Sequence, residues 1–179
     1  MKPYMLVLHN KIRFFLKRVK HKNIKVKGIQ LFSRNANFVF AKTANVEFED
    51  RIINDGRLHV IVSDNAELRI GKHVYFNDDA MISCHEKIII GNGCQFGPNV
   101  KIFDNNHCFN AEQGVLSTYK STPITIGENC WIGTNVVILK GTYIGKHTVI
   151  GAGCIVSGTI PECSIVTQCR DLQIKKMGE

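Results

Sequence analysis

The chain has 179 residues, 44% hydrophobic and 21% charged, a length and composition that fit one globular domain and exclude a disordered or low-complexity chain. No apolar run approaches the eighteen or so residues that span a bilayer as a helix. The formal net charge of +8 sits at one end: residues 1–46 hold eleven of the 23 Lys and Arg and no Asp or Glu, while the remainder sets 12 basic against 15 acidic residues.

The first element, residues 1–27, is a basic amphipathic arm. Its apolar stretch is five residues long and no small-residue cleavage site follows, so it is a poor secretory signal and the chain is expected in the cytoplasm. Leu8, Ile12, Phe15 and Val19 fall on one helical face, with Lys11, Lys17, Arg18 and Lys22 largely off it. Two readings follow: a short helix that docks this stripe on its own domain or a neighbouring subunit, or a segment resting on an anionic membrane surface. The arm carries no recognisable nucleic-acid module.

Residues 28–69 are less regular, although Val46, Ile52, Leu58 and Leu68 suggest that a repeat begins there. From residue 70 a large apolar side chain returns every six positions: Ile70, Phe76, Ile82, Ile88, then after a two-residue slip Ile90, Phe96, Ile102. The same phase resumes at Ile126, Ile132, Ile138, Ile144, Ile150 and Val156. Neither a helix nor a two-residue alternation gives this period; a solenoid does. The residue after the apolar one is mostly small (Gly71, Gly91, Gly97, Gly127, Gly133, Gly145, Gly151). Three positions after it come His73, Asp79, His85, Gly93, Asn99, Asn105, Asn129, Asn135, Gly141, His147 and Gly153, types that tolerate the left-handed backbone of a sharp corner.

Three such strand-plus-corner units would close a triangular coil of about 18 residues, stacked by parallel pairing. The fold class is therefore all-β: a parallel β-helix at 28–165, with the arm and a C-terminal segment, 166–179, capping its open ends. The general crossover rule would make it right-handed. The seven cysteines are odd in number and include no C-x-x-C, so thiols are expected; Cys94, Cys130 and Cys154 fall in the small interior column.

The repeat breaks at 108–123, directly after IFDNNH. A break in a rigid scaffold is a favoured place for function. His107 stands at its start and, unlike His73 and His147, outside the corner column. An imidazole there suits general-base chemistry near neutral pH. Asp104 could orient it; a backbone carbonyl would serve equally well. Cys108 as nucleophile would meet His107 poorly, because neighbours in a strand point to opposite faces.

The tandem pattern of aliphatic, Gly, two variable, small and one variable residue in IGENCWIGTNVVILKGTYIGKHTVIGAG and IGKHVYFNDDAMIS resembles the hexapeptide-repeat acyltransferases over roughly residues 60–165. It is most similar to the sugar O-acetyltransferase branch, that of the maltose, galactoside and polysaccharide-assembly enzymes. The resemblance implies a left-handed coil, a homotrimer with a site in each cleft between subunits, and acetyl-CoA as co-substrate. It implies His107 as catalytic base and Tyr75 and Asn77 on the acceptor. His85 stands where the branch has an acidic acceptor contact, which implies another acceptor. On the donor it implies Trp131 along the pantetheine arm, Thr134, Ala152 and Ser157 on acetyl-CoA, and Lys175 near the phosphates, with Lys176 and Arg170 as alternatives. Ser157–Gly158 and Gln168–Cys169–Arg170–Asp171 depart from the family's usual residues at the nucleotide end.

The expected activity is thus transfer of acetyl to a sugar hydroxyl in bacterial surface polysaccharide assembly. The alternatives are N-acylation of a nucleotide-linked amino sugar and a non-catalytic β-helix. A zinc hydratase on this coil would need a H-x-x-x-x-H pair, and the sequence has none, so no metal is expected.

Overall fold

A computed structural model describes residues 3–168. One helix, α1 (Pro3–Lys20), precedes a chain of short strands from Ile24 to Val166. Successive strands go to different sheets, so the chain winds around a three-sided prism of seven-, seven- and six-stranded parallel sheets, consistent with a left-handed β-helix. Each inward side chain sits on its counterpart in the coils below and above: Ile88 pairs with Leu68 and Ile124, Ile90 with Ile70 and Ile126. Phe76 and Phe96 stack with ring centres 4.7 Å apart.

The small column follows from coil spacing. A Cβ on Gly133 would lie 2.7 Å from the Ala152 nitrogen and 2.9 Å from the Ile150 oxygen, closer than packed atoms allow. Of the expected corner residues, His73, Asp79, Gly93, Asn99, Asn129, Asn135, Gly141, His147 and Gly153 have positive φ. His85 and Asn105 do not: Asn105 opens the inserted hairpin, and its side chain bonds the Ser83 carbonyl two residues before His85. The described cysteines are free thiols, and Cys94, Cys130 and Cys154 are buried.

The early coils are complete but wider than the hexad period. Ile24 pairs with Val46 and Val46 with Leu68, so each of these coils takes 22 residues, against 18 between Thr125 and Tyr143 higher up. The extra residues lengthen strands such as Ala36–Phe40 and Leu58–Val62. The wider interior is filled by Phe32, Phe38, Phe40 and Phe48.

Helix α1 docks on its own domain, but not through the stripe expected to do so. Leu8, Ile12, Phe15 and Val19 are 59%, 53%, 66% and 70% exposed. The opposite face docks instead. Phe14 is buried, its ring 5.1 Å from Phe38 and 5.7 Å from Phe48. Around it polar side chains donate to carbonyls of the first coil: Asn10 Nδ2 to Phe32 (2.8 Å), Lys17 Nζ to Phe38 (2.6 Å), and Arg13 to Ser33 and Arg34. A stack of parallel strands leaves such carbonyls unpaired at its end, and their need for donors outweighs the apolar stripe.

Candidate active site

The insertion after the fourth coil is an antiparallel hairpin, Asn105–Asn110 with Gly114–Ser121, rather than an irregular loop. His107 lies within its first strand, directly opposite Tyr119, and the register shifts between His107 and Phe109. The turn is set by Asn110, whose Oδ1 accepts from the nitrogens of Glu112 and Gln113, and by Gly114 at φ +68°.

The His107 ring is exposed, and its Nδ1 lies 3.2 Å from the Leu116 carbonyl across the hairpin. A carbonyl oxygen only accepts, so this bond places the proton on Nδ1 and leaves Nε2 with its lone pair. The Tyr119 ring stands 4.3 Å from His107 and 4.4 Å from His85, bridging the two imidazoles. These three, with Ser63, Ser83, Phe103, Asn105 and Phe109, line an open cleft of about 710 Å³. None of its lining side chains is a carboxylate.

Asp104 does not orient the imidazole. It is fully buried, and its carboxylate accepts from the backbone nitrogens of His85 (2.8 Å), Glu86 (2.8 Å) and Lys87 (2.9 Å) and from Asn105 Nδ2 (3.0 Å). Its backbone oxygen takes the Thr122 nitrogen at 2.8 Å. Asp104 therefore builds the corner on which His85 sits and pins both feet of the hairpin. This cap explains why His85 and Asn105 need no left-handed backbone. The neighbouring Cys84 thiol is pushed far up by burial and then by Asp104, so it stays protonated.

Tyr75, Asn77, Trp131, Thr134 and Ala152 lie on a different edge. Tyr75 and Trp131 face outward from one sheet, each paired with Gln95 between them. Asn77, Thr134 and Ala152 follow at the corner after that sheet, with Gly153 donating to the Thr134 oxygen at 2.8 Å. Trp131 is 58% exposed. The Tyr75 hydroxyl donates to Asp55 Oδ2 (2.7 Å), which holds the phenol above its ordinary range. The six-stranded sheet separates this edge from His107. Ser157 lies on the hairpin's side of that sheet, since Ile102, Ile138 and Val156 stack in successive coils. Lys175, Lys176 and Arg170 fall outside the described residues, as does most of the expected C-terminal cap.

Tyr119 is the site residue that sequence reasoning missed. Its signal was the Asn110-to-Gly114 turn between two β-prone stretches, FN and GVLSTY, which places a partner strand opposite His107. Among the described residues no cluster of three or more His, Cys, Asp or Glu is arranged to hold a metal ion.

A parallel β-helix of six-residue repeats broken by one histidine-bearing hairpin defines a class, and comparison with known proteins agrees. Residues 123–158 match the family Bacterial transferase hexapeptide (six repeats). The chain is 30% identical over 173 residues to WbbJ of Escherichia coli K12, named for O-acetyl transfer in lipopolysaccharide biosynthesis, covering 90% of this chain and 83% of that protein. It is 38% identical over 102 residues to the galactoside O-acetyltransferase of the same organism, covering 57% of this chain and 50% of the relative. A galactoside acetyltransferase solved in complex with coenzyme A superposes with a TM-score of 0.55 at 26% identity, over 87% of this chain and 64% of that one. The match thus spans about half the length of several curated relatives and most of the length of WbbJ. The chain belongs to the hexapeptide-repeat acetyltransferases, in their sugar O-acetyltransferase branch.

Proposed function

We propose that the protein transfers an acetyl group from acetyl-CoA to a hydroxyl of a sugar or glycan precursor, in bacterial surface polysaccharide assembly, with His107 as general base. The observation that carries this reading is the exposed His107 ring, held through Nδ1 by the Leu116 carbonyl and open at Nε2. Nε2 removes the proton of the acceptor hydroxyl as its oxygen attacks the thioester carbonyl. The tetrahedral intermediate collapses, the C–S bond breaks, and the thiolate takes the proton back from the imidazolium. Acetyl-CoA as donor is supported by family membership and by the coenzyme A complex of the galactoside acetyltransferase, a protein of similar fold.

His85 and Tyr119 line the acceptor side, where an aromatic face and two imidazoles suit a sugar ring, with no carboxylate among the described lining residues. Trp131, Thr134, Ala152, Ser157 and Lys175 are assigned to the donor, and Tyr75 and Asn77 to the acceptor. A homotrimer goes with this assignment. Tyr75, Asn77 and Trp131 share no edge with His107 in one chain, and a neighbouring subunit would bring them to it. We place the protein in the cytoplasm, peripheral to the inner face of the membrane where lipid-linked glycans are assembled.

The test is acetyl-CoA-dependent thiol release with a panel of sugar acceptors. His107→Ala lowers the rate by about 10²–10⁴-fold, the usual contribution of a general base, while the melting temperature stays unchanged because the ring is exposed. Full activity in that variant would overturn the reading. Amino sugars that react faster than hydroxyl acceptors would move it to N-acylation.

A further inference from the structure

The outer face of α1 has no partner among the described residues. Tyr4, Leu8, Ile12, Phe15, Leu16 and Val19 are each more than half exposed and fall on the side of the helix opposite Phe14 and Asn10. Lys11 and Arg18 run along one flank of this stripe, and no acidic residue occurs before Glu47.

Beneath that flank, between the helix and the first coil, lies a groove of about 470 Å³ lined by Asn10, Lys11, Phe15, Arg18, Val26 and Gln30, among others. Asn10 and Gln30 are 1% and 4% exposed. Asn10 Nδ2 donates to the Leu6 and Phe32 carbonyls, and Gln30 Nε2 to those of Lys27 and Glu49. Each amide nitrogen is thus fixed by two acceptors. That leaves Asn10 Oδ1 and Gln30 Oε1 as buried acceptors without a partner among the described residues. A buried acceptor without a donor is costly, and these two line a groove with two cations at its mouth.

We propose that this face of α1 docks on an anionic phospholipid surface: the stripe enters the acyl boundary, and Lys11 and Arg18 hold headgroup phosphates. An outward apolar face bordered by cations is what an interfacial helix requires. Anionic lipid, rather than a second copy of the chain, matches the unbroken positive charge of the arm.

Because α1 caps the end of the prism and the stripe points away from the coils, the solenoid axis stands off the membrane. The acceptor cleft, three coils further up, lies roughly 20 Å from the surface at about 4.8 Å per coil plus the helix radius. A lipid-linked glycan of a few sugars spans that gap. The proposal deepens the peripheral location suggested above, but vesicle binding is scored without acetyl-CoA, so either reading can fail alone.

The test is co-sedimentation of the full chain with vesicles of phosphatidylcholine alone and of phosphatidylcholine mixed with phosphatidylglycerol. Binding is expected to be about tenfold or more tighter to the mixed vesicles. Ile12→Glu with Phe15→Glu should reduce it to the level seen with phosphatidylcholine alone. Lys11→Gln with Arg18→Gln should remove the preference for anionic lipid. All four side chains are exposed, so both variants should melt as the parent does and keep acetyl transfer to a soluble acceptor. Equal binding to the two vesicle types, or an unaffected Ile12/Phe15 variant, overturns the proposal. A changed subunit number in that variant, read by sedimentation equilibrium, overturns it by assigning the face to a second copy. Complete displacement from vesicles by soluble glycerophosphoglycerol overturns it in favour of a free phosphate ligand.

Discussion

At His107 the deciding matter is which nitrogen carries the proton. The Leu116 carbonyl settles it, because an oxygen with no hydrogen can only accept, and Nε2 keeps the lone pair that the proposed base needs. Tyr119 fixes the plane of the ring from the other side of the hairpin. Tyr119→Ala is therefore expected to lower kcat by about tenfold through misplacement of the imidazole, and Tyr119→Phe, which keeps the ring, to restore most of it; steady-state kinetics of the two variants read this. Asp104 acts through the backbone. Asp104→Ala removes a fully buried carboxylate and leaves three backbone nitrogens of the His85–Lys87 corner without their acceptor. Its cost is expected to be about 3 kcal/mol or more of stability, read by denaturant unfolding, with a loss of activity smaller than that of His107→Ala.

Among the elements, the first sheet carries a ladder of alternating charge on its outer face. Lys27 contacts Glu47 at 2.7 Å, Arg69 lies between Glu47 and Glu67, and Lys87 meets Glu67 at 3.0 Å. The hydrogen bond from Lys87, then Arg69, holds Glu67 below the usual carboxylate range. A carboxylate lowered in this way stabilises the fold fully above its unfolded value near 4.5 and loses that contribution as pH falls through the lower folded value. Lys87→Met is expected to melt below the parent at neutral pH, by no more than about 1 kcal/mol because the pair is open to solvent. The two melting curves should converge as acid protonates Glu67. A pH series of thermal melts checks the sign.

The element least legible in the sequence was α1. Its 3.6-residue stripe was visible at Leu8, Ile12, Phe15 and Val19, but the face that docks is Asn10, Arg13, Phe14 and Lys17. Hydrophobic periodicity finds an apolar face; it does not register a row of carbonyls that must be capped. The hairpin escaped for a related reason, because the hexad period could show only where the coil stops.

For the whole molecule, the histidine proposed as base and the expected donor residues Trp131, Thr134 and Ala152 lie on different edges of one prism. If neighbouring subunits complete each site, two impaired variants can complement. His107→Ala and Trp131→Ala, each impaired alone, are expected to recover transfer above the level of either when co-expressed and assembled together, because some clefts then receive both intact edges. Activity assays of the mixed oligomer, set beside a mixture of separately assembled ones, check this.

The solenoid, its corners, its aliphatic and small columns and the place where it breaks were all written in the order of residues, since stacking identical coils forces each position in the repeat to meet its own kind. The 22-residue early coils, the cap on Asp104, the ring of Tyr119 between two imidazoles and the outward turn of the α1 stripe were not. Each depends on which groups from distant parts of the chain come face to face, and on which carbonyls and nitrogens are then left needing a partner, and that is settled only when the coils are stacked.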